Sequence, residues 1–532
     1  MKRMIVTMLL SAACTFLALG CPASGNTGNI DFRKTEKTVL KVTVDGEPLN
    51  VTWHKGGYLL RPNRPKDQMV NVYIPSNATK ASPIMLYVDN AGWLNNHYRN
   101  DTVVDGASYS SDSDEKVATA LMKGYVVVSY GCRSRGNRPT DGQYLGHSPA
   151  TMTDTKAVVR YLKYNRKRLP AGNVDRIIVT GISGGGALST LIAASGNSPD
   201  FLESLYEIGA AGVHRQKDGT LCSEKDCGDD VYGVIAYCPI TDLGHACAAY
   251  EWLYHDTRRA LFLAGEEHYD FVDEKELMSA STELAAMYAD YLDSLGLKDR
   301  NGNVLDSGNF REFITSLMKE ELGRALSVKG AQAMLDDVNC VDEEGIRRVN
   351  NGWLRFDADG HIIYDLDKHL YYVAKYTSLK PAPAFSNKSL FGAPINEDSL
   401  FGSISQASSP FNRYSWNHDT MENGVGMDDT GLDWDSFLLT EDGQRLQMQL
   451  KMSSAVDYLI EGKSDTAPFW YVRHGMDDRD TSFAVEALLF AAIWNNSSVR
   501  DANARFEFLQ YHNGDYDIPE AYGWLESVLR RP

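Results

Sequence analysis

Arg176-Ile177-Ile178-Val179-Thr180-Gly181-Ile182-Ser183-Gly184-Gly185-Gly186-Ala187-Leu188 is the stretch on which the fold turns. A β-branched apolar run passes through G-x-S-x-G straight into the start of a helix. A serine on so sharp a strand-to-helix bend lifts its hydroxyl clear of a sheet, and flanking glycines remove the Cβ atoms that would collide there. The backbone N–H of Gly184, at the helix N-terminus, is aimed at an oxygen that gains negative charge. Bare G-x-S-x-G arises by chance in a chain with 44 glycines, but this is the sole match and it falls between strand and helix. Ser183 and Ser189 break G-x-G-x-x-G, and no P-loop lysine follows, which disfavours nucleotide binding.

Working outward, residues 83–88, 125–130 and 176–180 are continuous apolar runs, the kind buried on both faces of a parallel sheet. Residues 154–169 between them have Ala157, Val158, Tyr161 and Leu162 on one face and basic residues elsewhere, as a helix packed on a sheet would. Ahead of them, 39–44, 58–61 and 70–74 read as antiparallel strands punctuated by Gly, Pro and Asn. A further buried strand, 231–237, leads into Cys238-Pro239-Ile240-Thr241-Asp242, and the strand rhythm then stops until Phe469. In the gap, Leu277, Leu284, Tyr288, Tyr291 and Leu295 recur at helical spacing, and Phe313, Leu317 and Leu322 start a second amphipathic helix after the turn at 299–303. Residues 380–435, rich in Pro, Ser, Asn, Gly and aromatics, read as ordered loops over a pocket. Strand 469–473, helix 483–494, strand 505–510 and helix 518–529 close the chain.

This alternation predicts an α/β-hydrolase fold with a large lid insertion between the strand ending near Pro239 and the strand starting near Phe469. The expected segments are a signal at 1–21, a first core part at 28–245, the lid at 246–465 and a second core part at 466–532. Met1-Lys2-Arg3, the apolar run to Leu19 and Gly20-Cys21 have the layout of a secretory signal, and Cys21 resembles a lipid attachment point. The protein is therefore expected outside the cytoplasm: periplasmic, secreted or lipid-anchored to the cell envelope. A net charge of −18 argues against nucleic acid as partner. Eight cysteines without zinc-like spacing do not form a disulfide scaffold, although Cys222 and Cys227 are close enough in sequence to close a short bridge. No metal or cofactor is expected; the acidic turn at 477–480 lacks EF-hand spacing. Nothing in the sequence sets the oligomeric state.

A serine hydroxyl needs an imidazole to take its proton and a carboxylate to fix the imidazole tautomer. In this fold the chain order is Ser, Asp, His. His512, after the acid and before the closing helix, is the expected base, with His474 its rival. Asp477, Asp478 and Asp480 share one turn and are all candidate acids. The second oxyanion donor is expected from Asp89-Asn90-Ala91-Gly92-Trp93, at Ala91 or Gly92.

The segments 181–189, Asp478-Arg479-Asp480-Thr481-Ser482 and His512-Asn513-Gly514-Asp515-Tyr516-Asp517, with Cys238-Pro239-Ile240-Thr241-Asp242 and Lys380-Pro381-Ala382-Pro383-Ala384-Phe385, together resemble bacterial subtype B tannases. The resemblance implies hydrolysis of gallate and protocatechuate esters, with Asp478 as triad acid and Lys380, Glu397 and Asp480 recognising ring hydroxyls. Carboxylates accept from vicinal phenols and a lysine donates to a phenolic oxygen, so a ring lacking them would leave buried charge unpaired. Ile182 and Gly184 depart from the family pattern, which often has Thr or Ser and Ala, and the 380–397 segment is longer than usual. Fungal tannases and their feruloyl-esterase relatives carry a Cys before the nucleophile and another before the His; Ile182 and Tyr511 stand there in this chain. The competing role for Lys380 and Glu397 is a surface salt bridge. The competing functions are a feruloyl or other ester hydrolase or peptidase with the same triad, and a non-catalytic envelope binding protein on a hydrolase scaffold.

Overall fold

Ten strands form one mixed sheet: β1 (Glu36–Val44), β2 (Glu47–Gly57), β3 (Met69–Pro75), β4 (Ile84–Val88), β5 (Ser108–Tyr109), β6 (Val126–Tyr130), β7 (Ile177–Ile182), β8 (Gly233–Tyr237), β9 (Phe469–Gly475) and β10 (Asp501–Glu507). Their order across the sheet is β10-β9-β8-β7-β4-β6-β3-β2-β1-β5. This computed structural model describes residues 28–110, 115–265, 274–342, 345–386, 397–418 and 430–531; the signal-like segment 1–21 with Cys21 lies outside them. From β6 through β4, β7, β8 and β9 to β10 every neighbour is parallel, while β1, β2, β3 and β6 pair antiparallel. Parallel strands need both faces covered, and every residue of β4 and β8 is buried. The carboxyl ends of the six parallel strands open on one edge, where ligands bind in such sheets.

Alternate residues of each strand face opposite layers. Ile178, Ile235 and Tyr471 pack with Leu121 of α1 (Lys116–Met122) on one face and with Tyr522 and Leu525 of the closing helix. Ile177, Val179, Val234 and Val472 face α2 (Ala150–Tyr164) and α3 (Gly184–Ala194) on the other. The long segment between β8 and β9 is mainly helical and includes α4 (Leu243–Ala264), α5 (Glu274–Leu295), α6 (Phe310–Lys329) and α7 (Leu366–Thr377). Leu253, Leu284, Ile314 and Leu370 of these helices join the same hydrophobic cluster as Val234 and Leu488 of α8 (Phe483–Asn495). The closing helix is α9 (Ile518–Leu529). Among the described residues no helix is long and apolar enough to cross a membrane.

Several sequence expectations need correction. Residues 58–61 are not a strand: β2 occupies 47–57, joined to β1 by Asp45 and Gly46 at φ 53° and 82°, the backbone a two-residue hairpin turn requires. Half-exposed β2 has a weak apolar rhythm, whereas Tyr58 is buried in the hydrophobic core and donates its hydroxyl to Gly131 O at 2.9 Å, outside any ladder. The strand expected at 505–510 is shifted, running from Asp501 to Glu507. The helix expected at 154–169 starts at Ala150 and ends at Tyr164, where the Asn165 side chain bonds Phe32 N and Ile30 O and ties down that segment. Cys222 and Cys227 are free thiols. Cys222 points to His214 O at 3.6 Å across a small hairpin, while buried Cys227 points to Arg160 O at 3.4 Å.

The basic residues of α2 do not all face solvent. Lys156 and Arg160 are buried and converge on Asp229 at 2.8 and 2.9 Å, just ahead of β8. Removing one partner of a buried ion pair strands the others. Asp229→Ala should therefore lower the unfolding free energy by about 3–5 kcal/mol in urea titration; a loss under about 1 kcal/mol would show that these cations find other partners.

Candidate active site

Ser183 occupies the bend between β7 and α3 at φ 58° and ψ −124°, a conformation costing a non-glycine residue about 1–3 kcal/mol. Three backbone hydrogen bonds hold it there: its N–H donates to Tyr237 O, and its carbonyl accepts from Ala187 N and Ile240 N. Its Oγ lies 2.7 Å from His512 Nε2, and His512 Nδ1 lies 2.8 Å from Asp478 Oδ2. His512 comes from the loop after β10 and Asp478 from the turn after β9, so three strand ends meet in one line of hydrogen bonds. With Asp478 ionised, Nδ1–H donates to it and Nε2 accepts from the serine.

Of the three carboxylates in that turn, only Asp478 bonds His512. Asp477 is buried on the far side, 3.6 Å from Arg348 Nη1 and 3.7 Å from His369 Nε2. Asp480 donates its backbone N–H to Asp478 Oδ1 at 2.7 Å and points its own carboxylate at Lys380 Nζ, 3.5 Å away. His474 is not beside Ser183: it is buried behind Asp478, 3.6 Å from that carboxylate and 3.6 Å from Glu486.

Gly184 opens α3 with its Cα against the loop after β4. A Cβ there would come within 2.3 Å of Trp93 N, 2.4 Å of Asn90 O and 2.9 Å of Gly92 N. Gly184, Ala91 and Gly92, the oxyanion candidates, are thus brought together around the serine bend. Ala91–Trp93 form a short 3-10 turn with Gly92 at φ 55°. Arg135, in the loop after β6, donates Nε–H to Gly92 O at 2.6 Å and Nη2–H to Glu397 Oε1 at 3.1 Å. Lys380 and Glu397 therefore do not pair with each other; each faces a residue of the sheet's carboxyl edge. Behind Lys380, buried Arg258 of α4 donates to its carbonyl at 2.7 Å and is itself held by buried Glu251 at 2.8 Å, while Tyr250 accepts the Lys380 N–H.

A sequence profile described as BD-FAE matches residues 70–270, which include the serine bend. No curated protein matches the chain. Among solved structures, it is similar to a tannin acyl hydrolase in complex with ethyl gallate, at 25% identity and TM-score 0.70 over 94% of this chain and 98% of that one. It is also similar to the native tannin acyl hydrolase from Lactobacillus plantarum, at 25% identity and TM-score 0.69 over 94% and 98%. The tannase of Fusobacterium nucleatum matches at 25% identity and TM-score 0.70 over 94% and 100%. The chain is a tannase-like hydrolase of the α/β-hydrolase fold.

Sequence inspection of this tannase-like chain missed Arg135, Arg258 with Glu251, and Glu486. Arg135 follows a central strand, within Gly131-Cys132-Arg133-Ser134-Arg135-Gly136, and that position was its one local signal. Glu251 and Arg258 are seven residues apart on α4, hence on one helix face, but nothing local says that this face is buried. Glu486 reads as an ordinary acidic residue in a helix's first turn.

The charges act on His512 in opposite senses. Burial pushes its imidazole down, but the charge and hydrogen bond of Asp478, with Asp480 behind, outweigh burial and hold it above its ordinary value, while Lys380 pulls it back. Burial opposes ionisation of Asp478, yet the two imidazoles and the Asp480 amide hold its carboxyl below the usual range. Burial, against the pull of Asp478, pushes His474 down to about 4, so it is neutral at pH 7. Burial, with the charge of Asp478 added, pushes the Glu486 carboxyl well above its ordinary value.

The acid limb of kcat/KM for ester hydrolysis should follow His512 losing its proton, above the ordinary 6.5. Asp480→Asn should move that limb to lower pH and Lys380→Met to higher pH; a limb that neither moves would refute the electrostatic account. Glu486 binds its proton more tightly folded than unfolded, so its contribution to stability is complete below its ordinary 4.5 and fades as pH rises toward the folded value. The melting temperature of Glu486→Gln should thus gain on wild type as pH rises from 4.5 toward neutrality, in thermal scans across pH; a constant difference would mean Glu486 ionises normally.

Proposed function

We propose that the protein hydrolyses esters of hydroxylated aromatic acids of the gallate and protocatechuate type through an acyl-Ser183 intermediate. The observation that carries this is the line Asp478–His512–Ser183, at 2.8 and 2.7 Å, with Lys380 and Asp480 at its open side. His512 takes the proton of Ser183 as Oγ attacks the ester carbonyl, and the oxyanion collects the Gly184 N–H and a second N–H from Ala91 or Gly92. His512 then gives the proton to the leaving alcohol, and a water activated by the same imidazole releases the acid. Asp478 keeps the ring in the tautomer that can accept.

Lys380, Asp480 and Glu397 are the groups for the ring hydroxyls. Lys380 donates to a phenolic oxygen, and the two carboxylates accept from phenolic O–H groups. Support comes from their gathering at the sheet's carboxyl edge, where the Lys380 backbone is clamped by Arg258 and Tyr250 and Glu397 by Arg135. The similar tannin acyl hydrolase in complex with ethyl gallate supports the same substrate class. The proposal places the enzyme outside the cytoplasm, on the charge and apolar layout of residues 1–21, free or tethered at Cys21. The mass of the mature N-terminus distinguishes the two forms.

Ser183→Ala should cut kcat by on the order of 10⁶-fold with an unchanged melting temperature; residual turnover near wild type would eliminate the acyl-enzyme. On a panel of methyl gallate, methyl ferulate, p-nitrophenyl acetate and a peptide, methyl gallate should have the highest kcat/KM. Lys380→Ala should reduce gallate hydrolysis roughly 10- to 100-fold, the worth of a hydrogen bond to a charged group, and leave the acetate ester nearly unaffected. Equal losses on both esters would remove the galloyl assignment and leave a general esterase.

A further inference from the structure

The relay needs Ser183, His512 and Asp478, yet a fourth reactive group lies against it. Cys238, the first residue after β8, is completely buried, and its Sγ, a nitrogen of His512 and a carboxylate oxygen of Asp478 all lie within 4.8 Å of one another. The thiol donates weakly to Asn513 O at 3.3 Å, and its backbone N–H is fixed on Arg473 O at 2.7 Å. The other such group among the described residues, Asp357, Asp359 and His361, is wholly exposed and has no sulfur.

We propose that Cys238, His512 and Asp478 form a binding site for one thiophilic divalent cation, Zn²⁺ or Cd²⁺, and that its occupation switches the hydrolase off. A thiolate, an imidazole and a carboxylate are a borderline-soft donor set that zinc-like ions take in preference to Mg²⁺ or Ca²⁺. Bonds of roughly 2.0–2.3 Å put the donors of a tetrahedral ion roughly 3–4 Å apart. The three atoms, all within 4.8 Å of one another, need only small side-chain shifts to reach that spacing, which leaves a fourth position for water.

The balance of charge is complete. The thiol gives its proton to solvent, and the 2+ ion is neutralised by one thiolate and one carboxylate, with neutral imidazole as third ligand. If the ion takes Nε2, it occupies the lone pair that accepts the Ser183 proton. If it takes Nδ1, the ring proton moves to Nε2, which then donates instead of accepting. In either case the serine loses its base. Inhibition rests on the proposed triad; binding of the ion does not.

Cd²⁺ titration tests both, because thiolate–cadmium bonds absorb in the ultraviolet independently of any substrate. A Cys222→Ser, Cys340→Ser background removes the two partly exposed thiols among the described residues. In that background one Cd²⁺ per chain should raise the charge-transfer band and abolish p-nitrophenyl acetate hydrolysis, with full recovery on adding EDTA. Adding Cys238→Ser should remove the band and raise the inhibitory Cd²⁺ concentration by at least about tenfold, relative to that variant's own activity. Cys238→Ala should do the same, and Asp478→Asn should weaken the band whether or not it turns over substrate. A band that persists without Cys238, or a Cd²⁺-loaded enzyme that still hydrolyses the ester, would overturn the proposal. Failure on gallate esters with the band intact would instead count against the substrate assignment alone.

Discussion

Everything at the carboxyl edge of the sheet depends on two short hydrogen bonds meeting on one imidazole. His512 can reach Ser183 and Asp478 together only if the loops after β7, β9 and β10 end at the same height, which is a demand on strand register before it is a demand on side chains. The parallel ladder from β7 through β8 and β9 to β10 meets it. The cost is local: Ser183 adopts a backbone region that a side chain disfavours, and three main-chain bonds to β8, the following loop and α3 hold it there.

Around that line the charges are arranged so that each is answered. Asp478 is buried but accepts from His512 and from the Asp480 amide; behind it, burial pushes the His474 imidazole down and the Glu486 carboxyl up, both toward their neutral forms. At the open side, Lys380 and Asp480 oppose each other in their effect on His512. A ligand that engages either would also shift the His512 imidazole. Arg135 links Glu397 to the carbonyl of Gly92, so the Glu397 carboxylate is one residue removed from the loop of the oxyanion candidates.

How much of this was legible in the sequence follows from the range of each interaction. The serine bend, the buried strands 83–88 and 125–130 and the closing helix carry local signals, and they stand where expected. Strand β2 was hidden because its exposed residues break the apolar rhythm, although Asp45-Gly46 marked its turn. Among Asp477, Asp478 and Asp480 the residues themselves left the choice open, since side-chain direction in a turn is set by backbone geometry that composition does not encode. The Cys222–Cys227 bridge failed for a similar reason: five residues apart in sequence, the two thiols turn to different partners, Cys222 to His214 O within a small hairpin and Cys227, beyond it, to Arg160 O. Arg135 reaches Glu397 and Arg258 reaches Lys380, each more than a hundred residues away, while the role of Glu486 follows from its burial; no window of sequence displays either.

The long segment between β8 and β9 shares its apolar contacts with the sheet through α8, where Leu253, Leu284 and Ile314 belong to one cluster with Leu488 and Val234. Such a cap cannot be trimmed or exchanged like an ornament. Transplanting the equivalent segment from a relative at 25% identity would present a foreign surface to α8, and α8 begins directly after the turn that carries Asp478. Lys380 and Glu397, by contrast, stand on irregular stretches, where a substitution disturbs less of the shared apolar packing than one in the helices beneath.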